Sequence, residues 1–260
     1  MEHRFILKNI SKCYPTTNFP ALDNVNLVIY EKKINALMGK SGCGKSTLAR
    51  ILIGLENYDS GEILYHGKAI ESAPTKEFRK KNQIMFQNPF LSVNPSFTIR
   101  KILWEPLIIN KPPAQKKYKN EFNDKINHLL ELVEIPSSFL NRYPSELSGG
   151  QLQRIVLARA LALEPEFIIL DEPFSSLDEI MAARLIRSFK HIFTQLEIGV
   201  LYISHHLNRV KFLADYITIM EKGQMIQHMK KDIVFDDQEP FREPSRMDKT
   251  AVSELPKAFD

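Results

Sequence analysis

Residues 39–47, GKSGCGKST, have the composition of a phosphate-binding loop, because they fit the pattern G-x-x-x-x-G-K-[ST]. In such a loop, backbone N–H groups and the N-terminus of the following helix surround a phosphate chain. Lys45 can reach the β and γ phosphates of a nucleotide, and Ser46 can ligate Mg²⁺. An ordinary turn into a helix is the alternative, but the apolar run just before the loop favours a nucleotide. We expect the nucleotide to be contacted by the whole loop: Gly39, Lys40, Ser41, Gly42, Cys43, Gly44, Lys45, Ser46 and Thr47.

Two adjacent acids, Asp171 and Glu172, directly follow the apolar run FIIL. Asp171 can complete the ligand shell of Mg²⁺, and Glu172 can polarise a water molecule for attack on the γ-phosphate. The alternative is a pair of solvated acids that end a strand. We favour the first interpretation, which predicts hydrolysis of a nucleoside triphosphate.

The segment LSGGQ, residues 147–151, offers a second anion site, because a serine and two glycines precede a helical pattern. A single nucleotide has one phosphate chain, yet this sequence contains two segments suited to bind one. One solution is a dimer in which each chain lends its second segment to the nucleotide of the other chain.

Four short apolar runs each end just before a candidate site residue: INALM, QIMF, FIIL and GVLYI. Continuous apolar runs are typical of strands buried on both faces, as in parallel sheets, and their alternation with helical patterns predicts an α/β fold. Ligands of such sheets bind at the carboxyl ends of the strands. We therefore expect one edge of the sheet to carry Gly39, Gln87, Asp171, Glu172 and His205.

The remaining patterns predict the domain organisation. Arg4–Ile10 and Val25–Tyr30 alternate like strands, whereas residues from Thr98 to about Leu163 follow helical periodicity. A hairpin is predicted around Lys222-Gly223. We interpret residues 1–228 as one domain with a helical lobe at about 90–165, and residues 229–260 as a loosely ordered tail.

The composition is that of a globular protein, with 43% hydrophobic and 25% charged residues in 260. The net charge of +4 suits anionic ligands but is too small to predict nucleic-acid binding. Cys13 and Cys43 lack disulfide or zinc spacing and are interpreted as reduced intracellular thiols. Because we find no secretion signal and no long apolar run, we expect the chain to reach a membrane only through a partner.

The three motifs, in this order, resemble the ATP-binding subunit of ABC (ATP-binding cassette) transporters over residues 4–228. The resemblance implies an ATP-hydrolysing P-loop NTPase with a mainly parallel core sheet, an N-terminal antiparallel β subdomain and a helical lobe, and it implies ATP and Mg²⁺ as ligands. It also implies a role for individual residues. Tyr14 would stack on adenine, Gln87 would contact Mg²⁺ and sense the transport partner, and His205 would contact the γ-phosphate. The γ-phosphate of the opposite subunit's ATP would be contacted by Ser148, Gly149 and Gly150, and residues 175–178 would communicate across the dimer.

Three further segments are similar to the oligopeptide, dipeptide and nickel importer branch: residues 86–95, 104–106 and 143–146. This similarity implies a second ATPase subunit, identical or different, two membrane permease subunits, and indirectly an extracellular solute-binding protein. It implies a peripheral location on the cytoplasmic face of the cell membrane. The alternatives are an exporter ATPase, or a soluble non-transport ABC ATPase that acts on ribosomes or DNA. About a hundred residues separate Lys45 from Ser148, too few for the coiled coil of DNA-repair relatives.

The histidine doublet at 205–206 departs from the family, since relatives commonly have aspartate at the second position. Adjacent side chains at a strand end point to opposite faces of a sheet. We therefore expect no shared metal ion at His205 and His206.

Overall fold

The computed structural model describes residues 2–15, 19–70, 75–110 and 116–231, and it describes the backbone alone at 116–119. The predicted loosely ordered tail was residues 229–260; residues 229 and 230 belong to the last described strand, and the part beyond residue 231 lies outside the described residues. Within the described parts, two compact units are found. The first unit contains the residues up to Arg79 and from Glu197 onward, and the second unit runs from Lys80 to Leu196.

Strands and helices alternate along most of the chain. The strands are β1 (His3–Lys12), β2 (Leu22–Tyr30), β3 (Ile34–Met38), β4 (Ser60–Tyr65), β5 (Lys68–Ala69), β6 (Asn82–Met85), β7 (Phe167–Asp171), β8 (Gly199–Ile203), β9 (Tyr216–Glu221) and β10 (Gln224–Lys230). The helices are α1 (Lys45–Leu52), α2 (Lys76–Lys81), α3 (Ile99–Asn110), α4 (Lys116–Leu132), α5 (Gly149–Leu161), α6 (Glu179–Gln195) and α7 (Leu207–Leu213). Short 3₁₀ helices cover Pro89–Ser92, Ser137–Asn141 and Pro144–Glu146.

An antiparallel sheet in the order β2-β1-β4-β5 forms part of the first unit. Phe5 on β1 faces Ile29 on one side and Tyr65 on the other. In each of β1 and β2 four consecutive residues are buried, at 4–7 and at 27–30, so these stretches are covered on both faces and do not show the alternation expected of a half-buried sheet. The predicted N-terminal antiparallel β subdomain is confirmed.

The first unit also contains the parallel strands β8, β3 and β9, with β10 antiparallel to β9. Every residue of β3 and β8 is buried, which explains why their sequences are continuous apolar runs. Leu37 pairs with Ile203, and the N–H of Ser204 donates to the Leu37 carbonyl at 3.2 Å. The chain therefore leaves β3 and β8 at the same edge, where Gly39 and His205 follow.

The second unit contains the parallel pair β6 and β7, in which Met85 faces Leu170. Helices α3 to α6 belong to the same unit, and α5 buries most of its length: nine of its 13 residues are buried. Because β6 and β7 are parallel, Gln87 and the acids Asp171 and Glu172 follow strand ends at the same edge. The predicted strands, the helical stretch and the hairpin are confirmed. Among the described helices, none is long and apolar enough to cross a membrane.

Candidate active site

The loop before α1 is shaped by glycines that no other residue could replace without a shift of the backbone. Gly44 is the N-cap of α1 and has a φ of 109°, in the left-handed region. A Cβ atom on Gly44 would lie 2.2 Å from the carbonyl oxygen of Ala21, and one on Gly39 would lie 2.3 Å from that of Met220. The close approach of the loop to Ala21, just before β2, and to Met220 on β9 restricts its path, and glycine-rich loops of this kind can present N–H groups to an anionic ligand.

The ammonium of Lys45 is buried inside this loop, with only 5% of the residue exposed. It lies 2.8 Å from the carbonyl oxygen of Gly39, 2.9 Å from that of Lys40 and 3.7 Å from the sulfur of Cys43. Its described partners are thus neutral groups, and no described carboxylate is within ion-pair distance of it. A buried cation that is held only by dipoles is stabilised by an anionic ligand, and a phosphate chain supplies that charge.

Tyr14 lies beside the first turn of α1, with its hydroxyl 3.4 Å from the Thr47 hydroxyl. Asp59 anchors the segment just before Tyr14, since its carboxylate accepts from the N–H of Cys13 at 2.6 Å and from the ammonium of Lys12 at 3.0 Å. These two contacts lower the pKa of Asp59, and the hydrogen bond to Asp59 raises the pKa of Lys12. The aromatic ring that the sequence analysis assigned to adenine is therefore held next to the phosphate-binding loop.

The rings of His205 and His206 lie with their centroids 4.1 Å apart, tilted by 35°. The expectation that these side chains point to opposite faces is therefore wrong. The alternation rule does not apply because the chain has left β8 and bends here, with the N–H of His206 donating to the Ser204 hydroxyl at 3.1 Å. Over the described ranges, no group of three or more His, Cys, Asp or Glu side chains is arranged to hold a metal ion.

In the second unit, Asp171 ends β7 as a buried residue, 9% exposed, and Glu172 follows it with a φ of +47°. A left-handed backbone at a residue other than glycine costs about 1–3 kcal/mol, and the next residue is a proline, which restricts it further. The N–H of Ser175 donates to the Glu172 carbonyl at 3.2 Å. The chain thus turns sharply at Glu172.

Gln87 follows β6 and connects to the segment after the acids. Its side-chain amide donates to the hydroxyl of Ser175 at 3.3 Å. Three residues further on, Asp178 caps α6 by accepting from the N–H of Met181 at 2.9 Å. The structure thus brings Gln87, Asp171, Glu172 and the segment at residues 175–178 into one neighbourhood of the second unit.

Ser148 caps α5 through a reciprocal pair of hydrogen bonds with Gln151. The serine is exposed, and the helix that it caps is 13 residues long, so its N-terminus offers N–H groups and a positive dipole end to solvent. Cβ atoms on Gly149 and Gly150 would meet side chains of the following segment, at 3.5 Å from Leu177 and 3.3 Å from Met181. Ser148 therefore lies at the start of a helix, as its sequence pattern indicated, and the binding of an anion there stays a prediction.

One buried polar residue next to the turn at Glu172 was not predicted from the sequence. Gln153 on α5 is 1% exposed, and its amide donates a hydrogen bond to the Pro173 carbonyl, next to Glu172. A glutamine within the apolar run of a buried helix was the available signal.

Known proteins resemble this chain in sequence and in fold. Residues 22–175 match the family described as "ABC transporter". The oligopeptide transport ATP-binding protein OppF of Bacillus subtilis is 37% identical over 86% of this chain and 73% of its own length. The nickel import ATP-binding protein NikE of Escherichia coli is 40% identical over 79% of this chain and 76% of its own.

Solved structures of known proteins also have a fold similar to that of this chain. A dimeric ATP-binding cassette in a post-hydrolysis state, bound to ADP and Pi, superposes with a TM-score of 0.76 at 29% identity, over 87% of this chain and 98% of the other. The protein cbiO1 of Clostridium perfringens is described as part of the ABC transporter complex cbiONQ. It reaches a TM-score of 0.80 at 23% identity, over 91% of this chain and 92% of its own, which is a likeness of fold.

Proposed function

The chain belongs to the ABC transporter family, and on this basis we propose that it is the ATP-hydrolysing subunit of an importer for peptides or nickel. The names of its relatives OppF and NikE support the importer, in preference to an exporter or a non-transport ATPase. The observation that carries the nucleotide site is the buried ammonium of Lys45, which has only neutral described partners in the loop.

In this proposal the loop at residues 39–47 binds the triphosphate of ATP, and Lys45 neutralises the β and γ phosphates. Tyr14 stacks on adenine, and His205 contacts the γ-phosphate. A lysine suits this place because its compact charge fits among two carbonyl groups, whereas the planar guanidinium of arginine does not.

Ser46, Gln87 and Asp171 would hold Mg²⁺. The donor set fits this ion, because a hydroxyl, a carboxamide and a buried carboxylate all offer oxygen, the ligand that Mg²⁺ prefers. When bound, Mg²⁺ neutralises charge on the phosphates.

Glu172 polarises the attacking water in this scheme. The water oxygen forms a bond to the γ-phosphorus as the bond to the leaving β-phosphate oxygen breaks, and the proton of the water passes to the carboxylate or to the phosphate. The products are ADP and inorganic phosphate. The left-handed backbone at Glu172 restricts where its side chain starts, which supports a positioned general base.

Ser148, Gly149 and Gly150 bind the γ-phosphate of a second, identical or related subunit's ATP. Support comes from the exposed, capped N-terminus of α5 and from the dimeric state of the superposed cassette. ATP binding then favours the closed dimer and hydrolysis favours its opening, because the nucleotide contacts both subunits only when they are closed.

The membrane permease subunits dock on the second unit, next to Gln87. In the described structure, Phe90 and Leu91, three and four residues after Gln87, are 46% and 85% exposed, and Tyr143 elsewhere in the same unit is 45% exposed. Exposed apolar groups of this kind mark contact surfaces for protein partners. The chain would thus sit on the cytoplasmic face of the membrane, with an extracellular solute-binding protein as an indirect partner and no role for nucleic acid.

Isolation of the intact membrane complex, with identification of its other chains, tests this proposal. We expect two permease subunits and either one or two kinds of ATPase chain. ATP hydrolysis by the complex should then rise when a peptide-loaded or nickel-loaded solute-binding protein is added. Co-purification with an exporter channel, or with ribosomes, would contradict the importer.

A further inference from the structure

Gln153 occupies an unusual place for a polar residue, because it lies within a buried helix and yet reaches the turn that carries Glu172. It follows Gly149 by four residues and Gly150 by three, so all three share one face of α5. The residue is 1% exposed. A side-chain amide is costly to bury unless it is hydrogen-bonded, so its contact has a purpose in the fold or in the chemistry.

The contact is a hydrogen bond from the Gln153 amide to the carbonyl oxygen of Pro173. Pro173 directly follows Glu172, whose φ of +47° is uncommon for a residue that precedes a proline. A backbone in such a conformation persists only when its surroundings hold it. In the described structure two successive carbonyl groups at this turn each accept a hydrogen bond. The N–H of Ser175 donates to the Glu172 carbonyl, and the side-chain amide of Gln153 donates to the Pro173 carbonyl.

We propose that Gln153 is a positioning residue for ATP hydrolysis, which fixes the Pro173 carbonyl and thereby the direction of the Glu172 carboxylate. This inference rests on the role of Glu172 proposed above. Since α5 begins at the capped Ser148, the same helix carries the segment for the partner's nucleotide and the bond that orients the carboxylate. A displacement of α5 when the two subunits close is therefore passed to the turn at Glu172.

A double-mutant cycle tests the proposal on the purified full chain. Gln153→Leu removes the donor at nearly constant volume, and Glu172→Gln removes the base. We expect Gln153→Leu to lower kcat about tenfold, the effect of one lost buried hydrogen bond, with an unchanged Kd for a fluorescent ATP analogue. In the Glu172→Gln background the same substitution should change the residual rate by less than about twofold, because the carboxylate that it orients is gone. Gln195→Leu, at an exposed position of α6, is the matched control.

The possible results distinguish a failure of the role proposed for Glu172 from a failure of the role proposed for Gln153. Full turnover of Glu172→Gln would refute the proposed role of Glu172 itself. If Glu172→Gln is slow but Gln153→Leu lowers its rate by the same factor as in the wild-type chain, Gln153 only supports the fold and the inference is overturned. A wild-type kcat of Gln153→Leu would overturn it as well.

Gln153→Glu answers the question if Gln153→Leu does not fold. A carboxyl group at this position donates to the Pro173 carbonyl only when protonated, and burial raises the pKa of a carboxyl group. The ratio of its kcat to that of the wild-type chain should therefore increase from pH 8 to pH 6. A ratio that stays constant over this range would contradict the proposal.

Discussion

The side-chain amide of Gln87 donates a hydrogen bond to the hydroxyl of Ser175, with 3.3 Å between the two atoms. Gln87 precedes the exposed residues assigned to permease docking, and Ser175 begins the segment assigned to communication across the dimer. In the proposed function, this bond would connect the permease-docking surface with the segment at residues 175–178, because a displacement of Gln87 would shift Ser175.

Ser175→Ala removes the acceptor of this bond and should weaken the coupling between partner and ATPase. In the assembled complex we expect the stimulation of ATP hydrolysis by the loaded solute-binding protein to fall about two- to fivefold, in line with the loss of one partly exposed hydrogen bond. The ratio of stimulated to basal rate is the measurement. Ser138→Ala, at an exposed serine of a 3₁₀ helix, is the control. An unaltered ratio in Ser175→Ala would show that this bond does not carry the coupling.

Lys45→Ala should weaken ATP binding at least about tenfold, because the ammonium is the buried positive charge in the phosphate-binding loop. Lys45→Arg should also bind poorly, since the guanidinium does not fit between the two carbonyl groups. Equilibrium titration with a fluorescent nucleotide measures both. Lys33→Ala, at an exposed lysine of the same unit, should titrate like the wild-type chain. A wild-type affinity of Lys45→Ala would show that the loop is not the nucleotide site.

Glu172→Gln should retain ATP affinity and slow hydrolysis by about 10² or more, because the amide cannot accept the proton of the attacking water. Single-turnover hydrolysis of radiolabelled ATP separates this effect from binding. Glu62→Gln is the matched control, because Glu62 is exposed and has no predicted role in binding or hydrolysis. Wild-type turnover in Glu172→Gln would assign the base to another group.

The burial of His228 predicts that the stability of the first unit depends on pH. Burial lowers its pKa, its Nδ1 lies 2.7 Å from the Thr218 hydroxyl, and its Nε2 has no hydrogen-bond partner among the described residues. The folded state therefore binds the proton less readily than the unfolded state, so the free energy of unfolding should decrease as the pH falls below the ordinary histidine pKa of about 6.5 and stay constant above it.

Urea unfolding between pH 5.5 and pH 7.5 measures this dependence. His228→Gln should reduce the loss of stability at acidic pH, whereas His128→Gln, at an exposed histidine, should preserve it. His3, whose pKa is also lowered by burial, contributes in the same direction and remains in both variants. An equal loss of stability in His228→Gln and the wild-type chain would show that His228 does not account for it.

Much of the fold could be predicted because local pattern and burial agree. The run INALM became β3 and the run GVLYI became β8, each with five buried residues, since an apolar run of about five residues is too short for a buried helix and suits a strand covered on both faces. The loop between β3 and α1 was predictable for a different reason, because it fits the pattern G-x-x-x-x-G-K-[ST]. The structure explains two of its glycines by close approaches to Met220 and Ala21.

The features that could not be predicted depend on contacts between distant residues. The bond from Gln153 to Pro173 joins positions 20 residues apart, and the left-handed φ of Glu172 has no signal in a Glu-Pro pair, which ordinarily favours an extended backbone. The approach of the His205 and His206 rings was mispredicted because the strand rule was extended past the end of β8. Local rules fail where the chain leaves a regular element.

A complementation assay tests whether ATP is bound between two subunits. A chain with Lys45→Ala keeps Ser148, and a chain with Ser148→Arg keeps the phosphate-binding loop, so each is inactive alone but a mixture assembles one complete site. We predict that the mixture regains about a quarter to a half of the wild-type rate. The rate per chain of the wild-type protein should fall on dilution, and Glu172→Gln should sediment as a dimer when ATP is present. Full activity of a dilute, strictly monomeric chain, with no recovery in the mixture, would contradict binding between two subunits.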